Sequence, residues 1–363
     1  MPMMLTKLRH LLCFHPIDCS LYFITKRQKS FLQNIYLNHT KKRNNSASFS
    51  TSICHNSSSI KDNKKTNIMA ATKLEEQIKT LAQNYEQNGY AVVSNFLTDD
   101  QVESMRTEAR RLIKEESRSE SNKLQVFGND FNMKSRYFLE SSDKICYFFE
   151  KNAVNLDTSE LQLPEEQSLA KIAHALHSLN PIFSKITSSE PVKDIFRAIG
   201  FIEPTVVQSM VIFKNPKVGG AYTPHQDASF LYSEPASCLA GIWLALDDAT
   251  PENGCLEFIP GSHKWPVARR FVRTDNTQDG ENLLDWTAPP VVYDESKFVK
   301  VPVKRGDLVL IHGLVVHRSA ANNSDKPRWI YTFHAYDKAR SVYSDKNWLQ
   351  INVNNTFMPV YAS

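Results

Sequence analysis

The chain has 363 residues, of which 41% are hydrophobic and 23% charged, a composition that excludes a disordered or collagen-like protein. Its net charge of +4 is uneven, because residues 1–68 carry eleven Lys and Arg against only Asp18 and Asp62. The rest of the chain is therefore near −5, the difference between +4 and +9. A mildly acidic remainder gives no reason to expect a nucleic acid partner.

The distribution of cysteine and of apolar residues excludes two further classes. None of the six cysteines forms a CxxC pair and three lie within residues 1–68, which argues against a disulfide framework or a zinc ribbon. No stretch approaches about 18 uncharged apolar residues, so we predict no membrane span.

Residues 1–68 have the composition of a targeting segment or a disordered extension. They are rich in Ser, Asn, Lys and Arg and nearly free of acids, as mitochondrial presequences are. Leucines recur at helical spacing near the start, beside Lys7 and Arg9. We therefore predict a mitochondrial protein if translation starts at Met1 and a cytoplasmic one if it starts at Met69.

The predicted folded domain spans residues 72–363 and begins with helices. Apolar residues three or four apart predict a helix that ends before Gly89, and Tyr90–Ser94 is typical of a short strand. Thr98 is a candidate N-cap for a second helix that runs to about Ile113.

Helical character gives way to β character further along the chain. Residues 115–135 are polar and predict a loop, whereas residues 165–188 predict further helix up to a break near Pro181. Beyond Pro204, short β-branched or aromatic runs separated by Gly, Pro, Asn and Asp predict a jelly roll with a metal-binding core over about 204–336. We expect an α+β fold, with N-terminal helices packed on one side of the β-structure. The predicted strands are Val206–Phe213, Gly241–Leu246, Leu256–Ile259, Phe298–Val303, Asp307–Ile311 and Trp329–His334.

The tripeptide His225-Gln226-Asp227, followed ninety-two residues later by His317, is a candidate metal site. Side chains alternate along a strand, so His225 and Asp227 should point the same way. Two imidazoles and one carboxylate leave open positions on the metal, as non-haem iron(II) oxygenases require for a cosubstrate and dioxygen. The alternative is a hydrogen-bonded surface pair without a metal.

Two residues that follow His317 favour a carboxylate-binding site. Arg328 starts a predicted strand eleven residues downstream, and Ser319 could add a hydroxyl donor. A guanidinium binds a carboxylate through two parallel hydrogen bonds, so the far end of 2-oxoglutarate would suit it. A structural ion pair is the alternative. On that strand the residues predicted to share one face are Arg328, Ile330, Thr332 and His334.

Four blocks of sequence in a fixed order are more specific than any single motif. They are Pro224–Phe230, Asp248–Cys255, Phe258–His263 and Leu310–Gly313, the last of which leads to His317. On these blocks the chain resembles the phytanoyl-CoA dioxygenase family from about Asn84 onward, and within it the branch named for containing that domain.

The resemblance implies a double-stranded β-helix, iron(II), 2-oxoglutarate and hydroxylation with release of succinate and carbon dioxide. It implies that His225, Asp227 and His317 are the catalytic metal ligands, and ascorbate is an expected supporting reductant. The substrate would be a small organic molecule, such as a fatty acyl or acyl-CoA-like compound. The residues implied to bind 2-oxoglutarate are Lys171, Met210, Trp243, Ser319 and Arg328.

Two other readings of the same residues remain open. The chain could bind metal and 2-oxoglutarate as a sensor without turnover, although the intact set of ligands and Arg328 argues against a dead site. It could instead be a zinc hydrolase, since two His and a carboxylate also hold zinc. Arg328 and Ser319 argue against that, because a hydrolase does not need a dicarboxylate site. The remaining histidines, which we interpret as packing or hydrogen-bonded residues, include His174, His177, His263, His312 and His334.

Overall fold

The structure, a computed structural model, describes residues 76–116, 124–278, 280–352 and 357–361. All of these residues lie in the unit Lys64–Ser363. The predicted targeting segment, residues 1–68, lies outside the described residues. Within the described ranges, no helix combines the length and the apolar character needed to cross a bilayer.

The first elements agree with the sequence. Helix α1 covers residues 76–88 and strand β1 spans Tyr90–Val93. Helix α2 spans Asp99–Glu116 and ends slightly later than predicted. Its start is a capping box, because the Thr98 hydroxyl accepts from the Gln101 N–H at 3.2 Å while the Gln101 side chain accepts from the Thr98 N–H at 2.9 Å.

The next segment departs from two predictions. The predicted loop over residues 115–135 contains a short helix, and the predicted helix over residues 165–188 is wrong in its middle, where Leu169–His174 form a strand. That strand is buried at all six positions and paired on both edges, so packing outweighs its helix-compatible composition. The break near Pro181 is confirmed, since Pro181 begins a new helix. In chain order the elements are α3 (Asn129–Asn132), α4 (Arg136–Leu139), β2 (Ile145–Phe149), β3 (Val154–Asn155), β4 (Glu160–Leu161), α5 (Glu165–Ser168), β5 (Leu169–His174), α6 (Leu176–Leu179), α7 (Pro181–Thr187) and α8 (Glu190–Ala198).

Residues beyond 204 form strands joined by turns and short 3-10 helices, and all six predicted runs are strands to within a few residues. Short strands that the sequence did not indicate lie between them. In chain order the strands are β6 (Pro204–Lys214), β7 (Tyr222–His225), β8 (Ser233–Glu234), β9 (Leu239–Ala245), β10 (Leu256–Phe258), β11 (Phe271–Arg273), β12 (Leu284–Trp286), β13 (Val299–Val301), β14 (Leu308–His312), β15 (His317–Ser319), β16 (Arg328–Asp337), β17 (Val342–Tyr343) and β18 (Met358–Pro359).

The longer strands form two antiparallel sheets. The main sheet has eight strands in the order β1-β14-β9-β16-β6-β5-β2, with β18 added beside β6. The small sheet has four strands in the order β13-β10-β15-β7. With the helices, this arrangement makes the described chain an α+β structure, as predicted.

The two faces of the main sheet pack against different partners. On β16, Trp329, Tyr331 and Phe333 join a buried cluster that includes Leu81 of α1 and Phe183 of α7. The opposite face belongs to a second cluster, in which main-sheet residues such as Trp243 and Ile330 pack on Leu256 and Phe258 of the small sheet. The space between the two sheets is therefore where side chains of β16 can meet those of β7 and β15.

Candidate active site

Two side chains of the small sheet and one from the turn that follows it converge at the end of β7. His225 is its last residue, Asp227 opens the 3-10 helix Asp227–Ser229, and His317 begins β15 directly opposite His225. The Asp227 Oδ1 atom lies 3.6 Å from His225 Nε2 and 3.7 Å from His317 Nε2. One potential ligand atom from each residue lies within 4.8 Å of the others. The structure thus brings the three residues together, which only pairing of β7 with β15 could do.

The backbone between His225 and Asp227 differs slightly from the prediction. The strand ends at His225, so the two residues do not share one strand. Gln226 nevertheless keeps an extended conformation, with φ −112° and ψ 135°. The alternation therefore continues for one residue past the strand and turns both side chains to the same side.

Backbone carbonyls orient both imidazole rings. His225 Nδ1 lies 2.8 Å from the carbonyl oxygen of Thr223, and His317 Nδ1 lies 3.1 Å from that of Val315. A proton on Nδ1 donated to these oxygens leaves each Nε2 lone pair directed at Asp227, as in metal-binding histidines. Burial, reinforced by nearby His225, lowers the pKa of His317 to about 4, so its ring is neutral at physiological pH.

The Asp227 carboxylate is buried and incompletely paired. Burial alone would raise its pKa, but the fields of His334 and His317 outweigh burial and hold the pKa well below its ordinary value. Its Oδ2 atom lies 3.3 Å from His334 Nε2 without a well-aligned hydrogen bond. An ionised, buried carboxylate beside two free imidazole lone pairs fits a divalent cation, because all three donors suit iron(II) or zinc.

Gln226 ties the metal-site turn to the segment that follows β10. Its side-chain amide donates to the carbonyl oxygens of Leu314 at 2.9 Å and Pro266 at 3.2 Å, and its Oε1 accepts from the Ala268 N–H at 2.9 Å. Gln226 is almost fully buried. Two of these bonds hold residues 266–268 against the turn that carries Asp227, and the third ties the same turn to Leu314.

Rows of residues cross the inner face of the main sheet beside this turn. Residues directly opposite on paired strands point to the same face. Thr332 lies opposite both Met210 and Trp243, and His334 lies opposite Gln208, whose amide is 3.3 Å from His334 Nδ1. The predicted alternation along β16 is therefore confirmed, and it directs His334 toward Asp227.

Arg328 begins β16 and has the properties of an anion-binding residue. It is 2% exposed, its guanidinium carbon lies 5.6 Å from the Trp243 ring centre, and its Nε has no hydrogen-bond partner. Burial lowers its pKa to about 10, so the guanidinium remains charged at neutral pH. Among the described residues, no carboxylate lies within ion-pairing distance, so the structural ion pair considered as an alternative is absent there.

Ser319 and Lys171 are the two predicted cosubstrate residues whose surroundings differ most from expectation. The Ser319 hydroxyl donates to the carbonyl oxygen of Gly254 at 2.8 Å. Lys171 lies in strand β5 rather than in a helix, and it is 5% exposed. Its Nζ lies 3.8 Å from the Met210 sulfur and 3.2 Å from His174 Nε2. Burial lowers the pKa of Lys171 to about 7.

Lys214 is a buried lysine that the sequence did not single out. It lies opposite Arg328 across β6 and β16, and its Nζ donates to the carbonyl oxygens of Gly220 at 2.9 Å and Ala320 at 2.5 Å. Burial and the field of Arg328 lower the pKa of Lys214 to about 6. As the last residue of its strand it has no distinctive sequence signal, because only the register with Arg328 shows where it lies.

The other histidines have ordinary hydrogen-bond partners, as we interpreted them. His174 Nδ1 meets the Ser141 hydroxyl at 2.7 Å, and His177 Nδ1 meets the Ser209 hydroxyl at 2.9 Å. His312 Nδ1 accepts from the backbone of Leu314 at 3.1 Å, and His263 Nε2 lies 2.9 Å from the Glu86 carbonyl oxygen. Within the described ranges, the one metal-compatible cluster of His, Cys, Asp and Glu is that of His225, Asp227 and His317.

Solved structures share this fold at low sequence identity. The epimerase SnoN from nogalamycin biosynthesis, in complex with Fe3+, alpha ketoglutarate and nogalamycin RO, is 18% identical, with a TM-score of 0.52 over 78% of this chain and 98% of that one. EctD from S. alaskensis in its apoform is 17% identical, with a TM-score of 0.52 over 76% of this chain and 84% of that one. At such identities the likeness shows a common jelly-roll type of fold.

Sequence comparison gives closer relatives. The chain is 44% identical over 285 residues to the phytanoyl-CoA dioxygenase domain-containing protein 1 homolog of Caenorhabditis elegans. The matched region covers 77% of this chain and 98% of that protein. It is 43% identical to phytanoyl-CoA dioxygenase domain-containing protein 1 of Danio rerio, over 77% of this chain and 97% of that protein. The sequence profile of phytanoyl-CoA dioxygenase matches residues 85–330. With that match and these relatives, the chain belongs to the phytanoyl-CoA dioxygenase family.

Proposed function

We propose that the protein is an iron(II)- and 2-oxoglutarate-dependent dioxygenase that hydroxylates a small organic substrate and releases succinate and carbon dioxide. The catalytic domain would span residues 72–363, with its metal-binding core over about 204–336. The observation that carries the proposal is the convergence of two oriented imidazoles and one ionised, buried carboxylate within 4.8 Å. Membership of the phytanoyl-CoA dioxygenase family supports it, as does the shared fold of the epimerase SnoN, which binds Fe3+ and alpha ketoglutarate.

In this proposal His225, Asp227 and His317 hold the iron. The two rings present Nε2 because the carbonyls of Thr223 and Val315 keep the proton on Nδ1. Iron(II) and 2-oxoglutarate, when bound, would supply the oxidising chemistry, in which one oxygen atom enters the substrate and the other enters succinate. The protein itself would orient the reactants and exclude water.

Arg328 would bind the far carboxylate of 2-oxoglutarate. The buried guanidinium has no carboxylate partner in the described chain, and Trp243 limits how it can turn. Ser319 would add its hydroxyl once the bond to Gly254 is exchanged, and Met210 and Lys171 would line the same pocket from neighbouring strands. A cation without a partner is costly to bury, so a dicarboxylate that neutralises it should bind strongly.

Succinate formation from 2-oxoglutarate tests the proposal. The purified chain, supplied with iron(II) and ascorbate, should form succinate, and Asp227→Ala should lose both metal binding and succinate formation. Asp157→Ala, which removes an exposed carboxylate, is the matched control and should behave as wild type. Arg328→Met should retain metal but raise the KM for 2-oxoglutarate about tenfold to a hundredfold.

The controls distinguish the oxygenase from its alternatives. Arg318→Met is matched to Arg328→Met, since Arg318 follows His317 but is ion-paired to Glu257 at 2.8 Å. Iron binding without succinate above the level of Asp227→Ala would leave a sensor as the better account. Zinc-dependent hydrolysis with no need for 2-oxoglutarate would favour a hydrolase.

A further inference from the structure

Arg269 lies at the mouth of the candidate active site without a charged partner. A shallow, open cleft has His225, Arg269, Trp286 and Tyr293 among its lining residues. Across the ranges that the structure describes, the Arg269 guanidinium has no hydrogen bond and no carboxylate within ion-pairing distance. Arg269 is half-buried, and this partial loss of its water shell lowers the pKa of its guanidinium.

The neighbouring arginines differ from Arg269 in this respect. Arg270 donates to the Ser344 hydroxyl at 2.7 Å, and Arg273 donates to the Trp348 carbonyl oxygen at 3.0 Å. Both therefore have partners within the fold. Arg269 alone of the three lines the cleft, so its charge is directed at whatever enters there.

A continuous aromatic wall connects Arg269 to the metal site. The guanidinium carbon of Arg269 lies 3.7 Å from the centre of the Trp286 ring. The ring centres of Trp286 and Phe230 are 5.2 Å apart, and those of Phe230 and His225 are 5.8 Å apart. Stacking on tryptophan holds the plane of a guanidinium while leaving its N–H edges free. The wall is apolar, and Val291 beside it is 44% exposed.

The backbone on both sides of Arg269 is held in place. Ala268 donates its N–H to the Gln226 side chain at 2.9 Å, and Arg270 donates its N–H to the Thr287 hydroxyl at 2.9 Å. Gln226 is the residue between His225 and Asp227, so Arg269 has a fixed position relative to the metal ligands. Such fixed placement is what substrate positioning requires.

We propose that Arg269 is a substrate-anchoring residue, which binds a carboxylate or phosphate group of a substrate whose apolar body lies along Trp286 toward His225. This inference rests on the proposed function and narrows its substrate to small amphipathic anions. A free guanidinium edge offers two parallel donors that match either group. The aromatic wall would then present the apolar part of the bound molecule to the metal site.

Binding of simple amphiphiles tests the proposal without turnover. Octanoate, octyl phosphate and neutral 1-octanol would be titrated calorimetrically into the full-length protein, with iron(II) and saturating 2-oxoglutarate under nitrogen. Saturating 2-oxoglutarate occupies the Arg328 site, so added anions report on the cleft. We expect at least one of the two anions to bind, and Arg269→Gln to weaken it about tenfold to a hundredfold while octanol is unaffected.

Two further variants make the result specific. Arg269→Lys should recover part of the affinity, because it keeps the charge but loses the two parallel donors. Lys264→Gln removes an exposed positive charge from the 3-10 helix Ser262–Lys264 and should leave the affinity for both anions unchanged. Binding of octanoate alone would assign a carboxylic acid, and binding of octyl phosphate alone would assign a phosphate ester.

The proposal would be overturned if Arg269→Gln and the wild type bound the anions equally well. It would also be overturned if the wild type bound neither anion. Unchanged octanol binding by Arg269→Gln shows that the variant is folded. The outcome is separable from the proposed function, because anion binding that depends on Arg269 would persist even if no succinate were formed. Conversely, succinate formation without such binding would remove this inference alone.

Discussion

Replacement of Lys171 by methionine should stabilise the ligand-free protein at pH 6, because the wild-type ammonium occupies a site that favours the neutral amine. Lys171 is 5% exposed in the middle of β5. The rings of Phe127, Phe138 and Phe148 lie between 4.4 and 5.4 Å from its Nζ. Burial lowers its pKa from 10.5 to about 7, and no carboxylate among the described residues pairs with it.

The size of the effect follows from that change in pKa. A tenfold change in a dissociation constant is worth about 1.4 kcal/mol, so keeping the ammonium costs the folded state up to about 5 kcal/mol. Cation–π contacts with the aromatic rings offset about 2 kcal/mol of this cost. The substitution also removes the hydrogen bond between Lys171 and His174, which is worth about 1 kcal/mol. We therefore expect Lys171→Met to raise the free energy of unfolding by about 2 kcal/mol at pH 6.

The sign of the pH dependence is fixed by the direction of the pKa change. Between pH 7 and 10.5 the unfolded state binds more protons at Lys171 than the folded state does, so the wild type gains stability as pH rises. The penalty is therefore complete below pH 7 and fades toward pH 10.5. The advantage of Lys171→Met should fall to nearly zero at pH 10.

Urea unfolding at pH 6 and pH 10 measures both quantities. Lys297→Met, which replaces an exposed lysine, is the matched control and should show no pH-dependent gain. A Lys171→Met variant that is less stable than wild type at both pH values, or equally stabilised at both, would refute the reasoning. Either outcome would mean that the folded protein compensates the buried ammonium in another way.

Three further substitutions follow from contacts around the site. His334→Phe should weaken Co(II) binding about tenfold to a hundredfold, because His334 lies against the carboxylate of Asp227 and orients it. Titration of the visible absorption of the metal measures the affinity, and an unchanged affinity would contradict that role. Gln226→Ala should lower the free energy of unfolding by about 2–4 kcal/mol in urea, since its buried hydrogen bonds to residues 266–268 and Leu314 are lost; a loss below about 1 kcal/mol would show that water replaces them. Gly254→Ala should lower the thermal midpoint of unfolding by several degrees, because Gly254 has φ +84° and an added Cβ would meet the Ala320 carbonyl oxygen. In the control Gly261→Ala the new Cβ enters open space, so the thermal midpoint should fall less.

Local patterns were sufficient to predict much of the β-structure. Along β16 apolar and polar residues alternate, and the structure directs Trp329 and Tyr331 to one face and Arg328 and Thr332 to the other. The predicted N-cap at Thr98 also depends on neighbouring residues alone. Such features can be predicted because backbone geometry and capping involve residues close in sequence.

The prediction failed where burial removed the pattern. Leu169–His174 have helix-compatible residues and no alternation, because both faces of β5 are buried and both of its edges are paired. Without a polar face, a short buried strand cannot be distinguished from a buried helix by periodicity. The error placed Lys171 in a helix, although it lies in the buried strand β5 and is 5% exposed.

The sequence by itself determined which residue types could hold a metal and a dicarboxylate, since His225 and Asp227 are two positions apart and Arg328 starts a predicted strand. Tertiary structure alone decided which distant side chains share that space. The pairing of β7 with β15 brings His317 to His225, the register of β6 with β16 places Lys214 beside Arg328, and Gln226 fixes Arg269 at the mouth of the cleft. Burial and electrostatic fields depend on distances between strands that are far apart in sequence, and no local pattern encodes those distances.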